Sequence, residues 1–145
     1  MGHAMATLPE SARAVLESDA VAHLVTLNPD GSPQVTCIWV GLDGDEIVSG
    51  HLRPQQKLRN ARRDPRVTLS LETPVVNPHG LREYLVVHGL ARIEDGGGAE
   101  LLQRLAYTYL GSDVVFPPMP DPPAGWTLRI TPVRVGGVGP WARDD

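Results

Sequence analysis

The stretch "VAHLVTLNPDGSPQVTCIWVGLDGDEIVSG", residues 21–50, most constrains the fold, because it reads as three strands in direct succession. Strands over 21–28, 34–41 and 46–50 are separated by Asn28-Pro29-Asp30-Gly31 and Asp43-Gly44, both hairpin turn sequences. Three hairpin-linked strands exclude the strict strand–helix alternation of a parallel sheet, and no GxGxxG is present to indicate a dinucleotide fold. In the first strand the row His23, Val25, Leu27 alternates with Ala22, Leu24, Thr26. Both rows are largely apolar, as in a barrel wall covered on its outside.

The remaining elements extend this pattern. "RVTLSLE" alternates with period two, placing Val67, Leu69 and Leu71 on one face. "EYLVVHGLARIED" is a strand in which Gly89 marks a bulge, and "TLRITPVRV" is the last strand. Helices are predicted for "PESARAVLESD", for "RPQQKLRNARRD" starting at Pro54, and for "GAELLQRLAYTYLG". Residues 112–126, with five prolines, cannot be regular structure; they form either a pocket wall, through Phe116 and Trp126, or a plain connector. The expectation is a mainly β (α+β) single domain over 1–145, a six-stranded antiparallel barrel with short flanking helices. Residues 1–7 are read as flexible or a cloning remnant, and 137–145 as a tail.

Composition narrows function. The net charge of −4 disfavours nucleic acid and anionic membranes as partners, and no run approaches the about 20 apolar residues that span a bilayer. A single cysteine, Cys37, fits a reducing compartment, and the cytoplasm is expected. The five histidines stand singly with no ligand spacing, so no metal site is predicted. His23 and His88 read as hydrogen-bonded wall residues, and Cys37 as a small, buried, inert thiol. No nucleophile motif or carboxylate pair is recognisable, so any reactive chemistry belongs to a bound cofactor.

Six of the thirteen Lys and Arg residues fall in "HLRPQQKLRNARRDPR", among them the only lysine, Lys57. At about 100° per residue, Lys57 shares a side with Arg53 and Asn60, opposite Arg59 and Arg63. Arg59, Arg62, Arg63 and Arg66 read as solvated surface, whereas Lys57, with Arg53 and the first-turn amides, is the candidate anion site.

The "L-x-x-D-G-x-P-x-V" turn (Leu27–Val35) and "K-x-R-N-x-R-R-D-P-R-V" (Lys57–Val67), in this order and separation, resemble the pyridoxamine 5′-phosphate oxidase-like split β-barrel superfamily. Within it the chain is most similar to the B-class flavin/deazaflavin oxidoreductases that use coenzyme F420. The resemblance implies a homodimer with cofactor sites between subunits, and hydride transfer from reduced deazaflavin to a small unsaturated organic substrate. It implies that Gln34, Thr36, Cys37, Ile38 and Trp39 lie against the ring, that Ser49, Gly50 and His51 line the ring or ribityl chain, and that Lys57, helped by Arg53, grips phosphate. Arg82 and Tyr84 would reach the site across the interface, with Arg129 or Arg134 nearby. The alternatives are an FMN-binding oxidoreductase and a non-catalytic F420-binding or sequestering protein. Against FMN, the chain has "V-T-C-I-W" and Gln55-Gln56-Lys57 where the flavin-using oxidases carry an arginine-led second strand and a serine-arginine-lysine. Water, Tyr84 and His51 are the candidate proton donors.

Overall fold

The computed structural model describes residues 6–142, so the expectations for residues 1–5 and 143–145 lie outside the described residues. The chain runs α1 (Glu10–Leu16), β1 (Ala22–Leu27), β2 (Pro33–Ile38), β3 (Gly41–Asp43), β4 (Glu46–His51), α2 (Gln56–Arg63), β5 (Arg66–Val76), β6 (Arg82–Asp95), α3 (Gly98–Tyr109) and β7 (Trp126–Val138). All strands join one antiparallel sheet in the order β2-β1-β5-β6-β7-β4-β3.

Seven strands replace the six expected, because the 34–41 segment breaks. β2 stops at Ile38, and Gly41–Asp43 forms its own hairpin with β4. The break has a local cause. The Val40 amide donates to the Tyr109 hydroxyl at 3.1 Å instead of to a neighbouring strand, and Gly41 passes so close under α3 that a Cβ there would lie 2.8 Å from Leu105. β2 and β3 are thus the two edges of the sheet, yet only Trp39 and Val40 separate them. Three residue steps reach at most about 11 Å, so the sheet must curl until its edges nearly meet. No ladder joins those edges, and the sheet stays open along that seam.

The inner face carries the core. Leu24, Leu69, Leu71, Leu85, Val87, Leu128 and Ile130 are essentially inaccessible, and α1 adds Ala12, Val15 and Leu16. In β5 the alternation places Val67, Leu69 and Leu71 inside and leaves Thr68 and Ser70 on the outer row. The bulge falls at the predicted glycine: the β6–β7 register shifts between His88 and Gly89, passing over Val133. A side chain at Gly89 would collide with Ile130 and the Thr131 carbonyl, so the close crossing needs glycine. The segment read as a tail is partly structural: β7 runs to Val138, and buried Trp141 donates its indole N–H to the Tyr84 carbonyl at 3.2 Å. No helix among the described residues is long and apolar enough to cross a membrane.

The outer face is less covered than an apolar wall requires. His23 and Cys37 are exposed, and Val35 keeps 58% of its surface.

Candidate functional site

β4 ends on Ser49, Gly50 and His51 and feeds α2 through a short connection that bends at Leu52-Arg53. Glycines make this junction compact. A Cβ on Gly50 would lie 2.5 Å from the Gly98 carbonyl, and one on Gly98 equally close to the His51 carbonyl, so the start of α3 sits directly on the end of β4. The helix begins at Gln56, two residues later than Pro54 suggests, because extended Gln55 is its cap. Leu58 and Arg59 both donate to the Gln55 carbonyl, and the amides of Gln56 and Lys57 before them have no backbone acceptor.

A cavity of about 460 Å³ opens at this junction. Of the predicted site residues it brings together Cys37, Ile38, Trp39, Gly50, His51 and Lys57. Val21, Leu52, Gln55 and Leu102 complete the lining, and sequence reasoning passed over them, since ordinary apolar and amide side chains carry no chemical signal. Phe116, from the proline-rich segment, closes one wall: its ring packs on Trp39 at 5.0 Å between centroids, and Trp39 stacks in turn on Tyr109 at 5.3 Å. Gln103 of α3 ties the segment down, accepting from the Phe116 amide and donating to the Val114 carbonyl. Of the 112–126 segment it is therefore Phe116 that forms part of the wall, whereas Trp126 begins β7 and does not line the cavity.

Lys57 is 9% exposed, yet it has neither a carboxylate nor a hydrogen-bond partner among the described residues. Burial lowers its proton affinity, partly offset by the charge of Cys37. Thr36 Oγ1 is the one side-chain polar atom among the described residues that is fully enclosed without a partner. The Lys57 ammonium therefore keeps accessible surface, and the residue lines the cavity. Beside it His51, also buried, is pushed down to about 3, mainly by burial and further by the Lys57 charge, so it is neutral at physiological pH. Ser49 Oγ lies 2.7 Å from His51 Nε2. The Ser49 hydroxyl has no other acceptor among the described residues, and its donation to Nε2 would leave the N–H of His51, which lines the cavity, on Nδ1. Among the described residues the site thus offers one cation, one neutral histidine and no carboxylate.

Other predicted residues stand elsewhere. Gln34 and Thr36 share the β2 row of Ile38 but do not line the cavity; Gln34 accepts from Asn60 at 3.3 Å. Ser49 acts through His51. Arg53 precedes the helix, is exposed, and does not line the cavity, so the helical projection that put it beside Lys57 does not apply. Arg82 donates to the Thr73 carbonyl, and Tyr84 is on the far part of β6; neither reaches this cavity within one chain. Arg129 is consumed by Glu94, Asp43 and Glu46. Cys37 is a correction: it is exposed rather than buried, because it sits on the outer row of an edge strand.

Four arginines of the basic run are engaged locally. Arg59 donates to the Pro54 carbonyl and Gln56, Arg63 to the Leu27 carbonyl and Asn60, Arg66 pairs with Asp64 at 2.7 Å, and Arg62 approaches Asp95 at 3.8 Å. A second hollow of about 560 Å³ lies on the outer face over Val25, Leu27, Thr68, His88 and exposed Arg134. It holds no buried cation, and its histidine is paired with Thr68 at 3.1 Å.

Solved structures share this architecture. An F420 reductase is 30% identical with a TM-score of 0.70, over 89% of this chain and 98% of that one. A conserved hypothetical protein from Mycobacterium tuberculosis is 23% identical at TM-score 0.69, covering 94% and 89%. A putative pyridoxamine 5′-phosphate oxidase from Listeria innocua matches at 19% and 0.64, covering 89% and 96%. No curated protein matches the chain in sequence. The family profile of pyridoxamine 5′-phosphate oxidase matches residues 8–139. With the curled antiparallel sheet and the strand–helix cavity, that match places the chain in the pyridoxamine 5′-phosphate oxidase-like split-barrel family.

Proposed function

We propose that the protein is an F420-dependent oxidoreductase that acts as a homodimer on a small unsaturated organic substrate. The observation that carries the reading is Lys57: a largely buried lysine without a partner among the described residues, lining a mostly apolar cavity, is costly unless an anion completes it. The likeness to an F420 reductase at 30% identity supports a deazaflavin as the group that brings the anion. When bound, the reduced deazaflavin supplies the hydride. The chain's own residues do the rest. Lys57 and the free amides of Gln56 and Lys57 bind acidic oxygens, and His51 Nδ1–H donates one neutral hydrogen bond. Ile38, Trp39, Leu102 and Phe116 exclude water and orient planar groups. His51, held neutral, is a hydrogen-bond donor rather than a charged acid. Tyr84 could serve as a donor only from the second subunit, which the apolar outer row around Val25, Leu27 and Val35 is suited to cover.

A second reading, FMN as the cofactor, is favoured by the family match itself. Titration of the protein with F420 and with FMN separates the two. F420 binding the more tightly is expected, and a stoichiometric flavin complex with no F420 binding would refute the first reading. Adding enones and quinones to the complex with reduced F420 should then oxidise the coenzyme; binding without oxidation would indicate a sequestering protein.

A further inference from the structure

We propose that Cys37 is a modification site for small electrophiles that carry an acidic group: Lys57 holds the acid, and the electrophilic carbon meets the Cys37 sulfur in the same cavity. Two independent observations converge here. Cys37, the only cysteine of the chain, is exposed and lines the cavity. Lys57, nine-tenths buried and without a partner among the described residues, lines the same cavity. Both residues line the same cavity, Cys37 from the end of β2 and Lys57 from the first turn of α2. Among the described residues no Asp or Glu lines the cavity to repel an anion, and the apolar walls, Ile38, Trp39, Leu102 and Phe116, cannot compete for the electrophile. Neutral His51 adds a donor without adding charge. An adduct on Cys37 would occupy the cavity and hold its acid on Lys57, so modification would close the site to other anions. This inference stands whether the resident cofactor is F420 or FMN.

With a haloacetate the step balances simply. The Cys37 sulfur attacks the iodine-bearing carbon of iodoacetate as its thiolate, and the thiol proton goes to solvent. An S–C bond forms, the C–I bond breaks, and iodide leaves with the electron pair; nothing is oxidised or reduced. The test compares alkylation of the native full-length chain by iodoacetate and by uncharged iodoacetamide, read as mass added to its one thiol, with 2-mercaptoethanol as reference. The expected result is an iodoacetate-to-iodoacetamide rate ratio about tenfold above that of the reference thiol, the worth of one charge-assisted contact. The excess should vanish in Lys57→Gln and persist in Lys57→Arg. In the unmutated protein, inorganic phosphate should slow iodoacetate more than iodoacetamide, which keeps the test valid if a variant folds poorly. A ratio equal to that of the reference thiol would overturn the proposal. So would an excess indifferent to phosphate, or a native thiol that neither reagent reaches.

Discussion

Lys57 and Asn60 lie three residues apart on the buried face of α2, and their surroundings could hardly differ more. Asn60 is wholly enclosed and saturated. Its amide nitrogen donates to Asn28 at 2.9 Å, Thr26 at 3.1 Å and Gln34 at 3.3 Å, and its oxygen accepts from Gln56 and Arg63. Lys57 is enclosed almost as well and has no partner among the described residues. A fold that supplies five partners to one polar side chain and none to its neighbour has sorted the helix into two functions. The Asn60 end fastens α2 to the β1–β2 hairpin, and the Lys57 end is left for something the chain does not contain.

Substitution should separate the two ends. Asn60→Ala strips donors from Thr26, Asn28 and Gln34 and an acceptor from Gln56, and should cost about 2–3 kcal/mol in urea unfolding, with looser cofactor binding as a by-product of a shifted helix. Lys57→Met should do the reverse. Because burial disfavours the charged form of Lys57 in the folded state, its charge subtracts from stability at neutral pH, and removing it should raise Tm by about 2–4 °C for each kcal/mol regained. The same variant should bind F420 about tenfold to a hundredfold more weakly, the worth of about 1.5–3 kcal/mol in a charge-assisted contact. If Lys57→Met instead destabilised the protein as much as Asn60→Ala, Lys57 would be a packing residue and the contrast would be broken.

pH sharpens the contrast from the other side of the cavity. His51 takes up its proton only near pH 3 when folded, against 6.5 when unfolded, so between those values the unfolded chain binds the extra proton and stability falls as pH falls. From pH 6 to 4.5 the loss should be about 2 kcal/mol, at about 1.4 kcal/mol per unit once the unfolded histidine is fully protonated. His88, also held low by burial and by Arg134, adds a slope of the same sign. His51→Gln should flatten the profile in this window, measured by urea unfolding at each pH. The carboxylates with lowered pKa, such as Asp64 at about 2, lose their contribution mainly below it. An unchanged slope would mean that His51 is not buried beside Lys57 as described.

The legible part of this molecule was whatever repeats locally. Alternation located β5, turn residues located the hairpins, and the mid-strand glycine marked the β6–β7 bulge. β3 was illegible because the break at Trp39-Val40 is imposed from afar, by a tyrosine hydroxyl on α3 that takes the Val40 amide. The site divided in the same way. Lys57 stood out by position on a helix face, whereas Leu102 and the closeness of Gly98 to His51 depend on where α3 lands, which no local pattern encodes. Arg53 misled because a helical projection was applied to a residue the helix does not include. Cys37 misled because strand alternation says that it opposes Ile38 but not which row meets solvent at an edge.

The smallest expected effects belong to the outer face of α2. Arg59 and Arg63 are exposed, and their guanidinium groups are already spent on the carbonyls of Pro54 and Leu27 and on neighbouring amides, so neither points its charge at the cavity. Arg59→Ala and Arg63→Ala should each shift F420 affinity by less than about 0.5 kcal/mol, roughly twofold, in the same titration that reads Lys57→Met. Arg63→Ala should show the larger change in stability, because it also withdraws a donor from Asn60 and unpins the helix end from β1, while Arg59→Ala removes contacts only within the first turns of α2. Equal losses of affinity at Lys57, Arg59 and Arg63 would mean that the anion is held by the field of the whole basic run. A loss confined to Lys57 would mean that one buried charge, rather than the number of charges around it, makes the site.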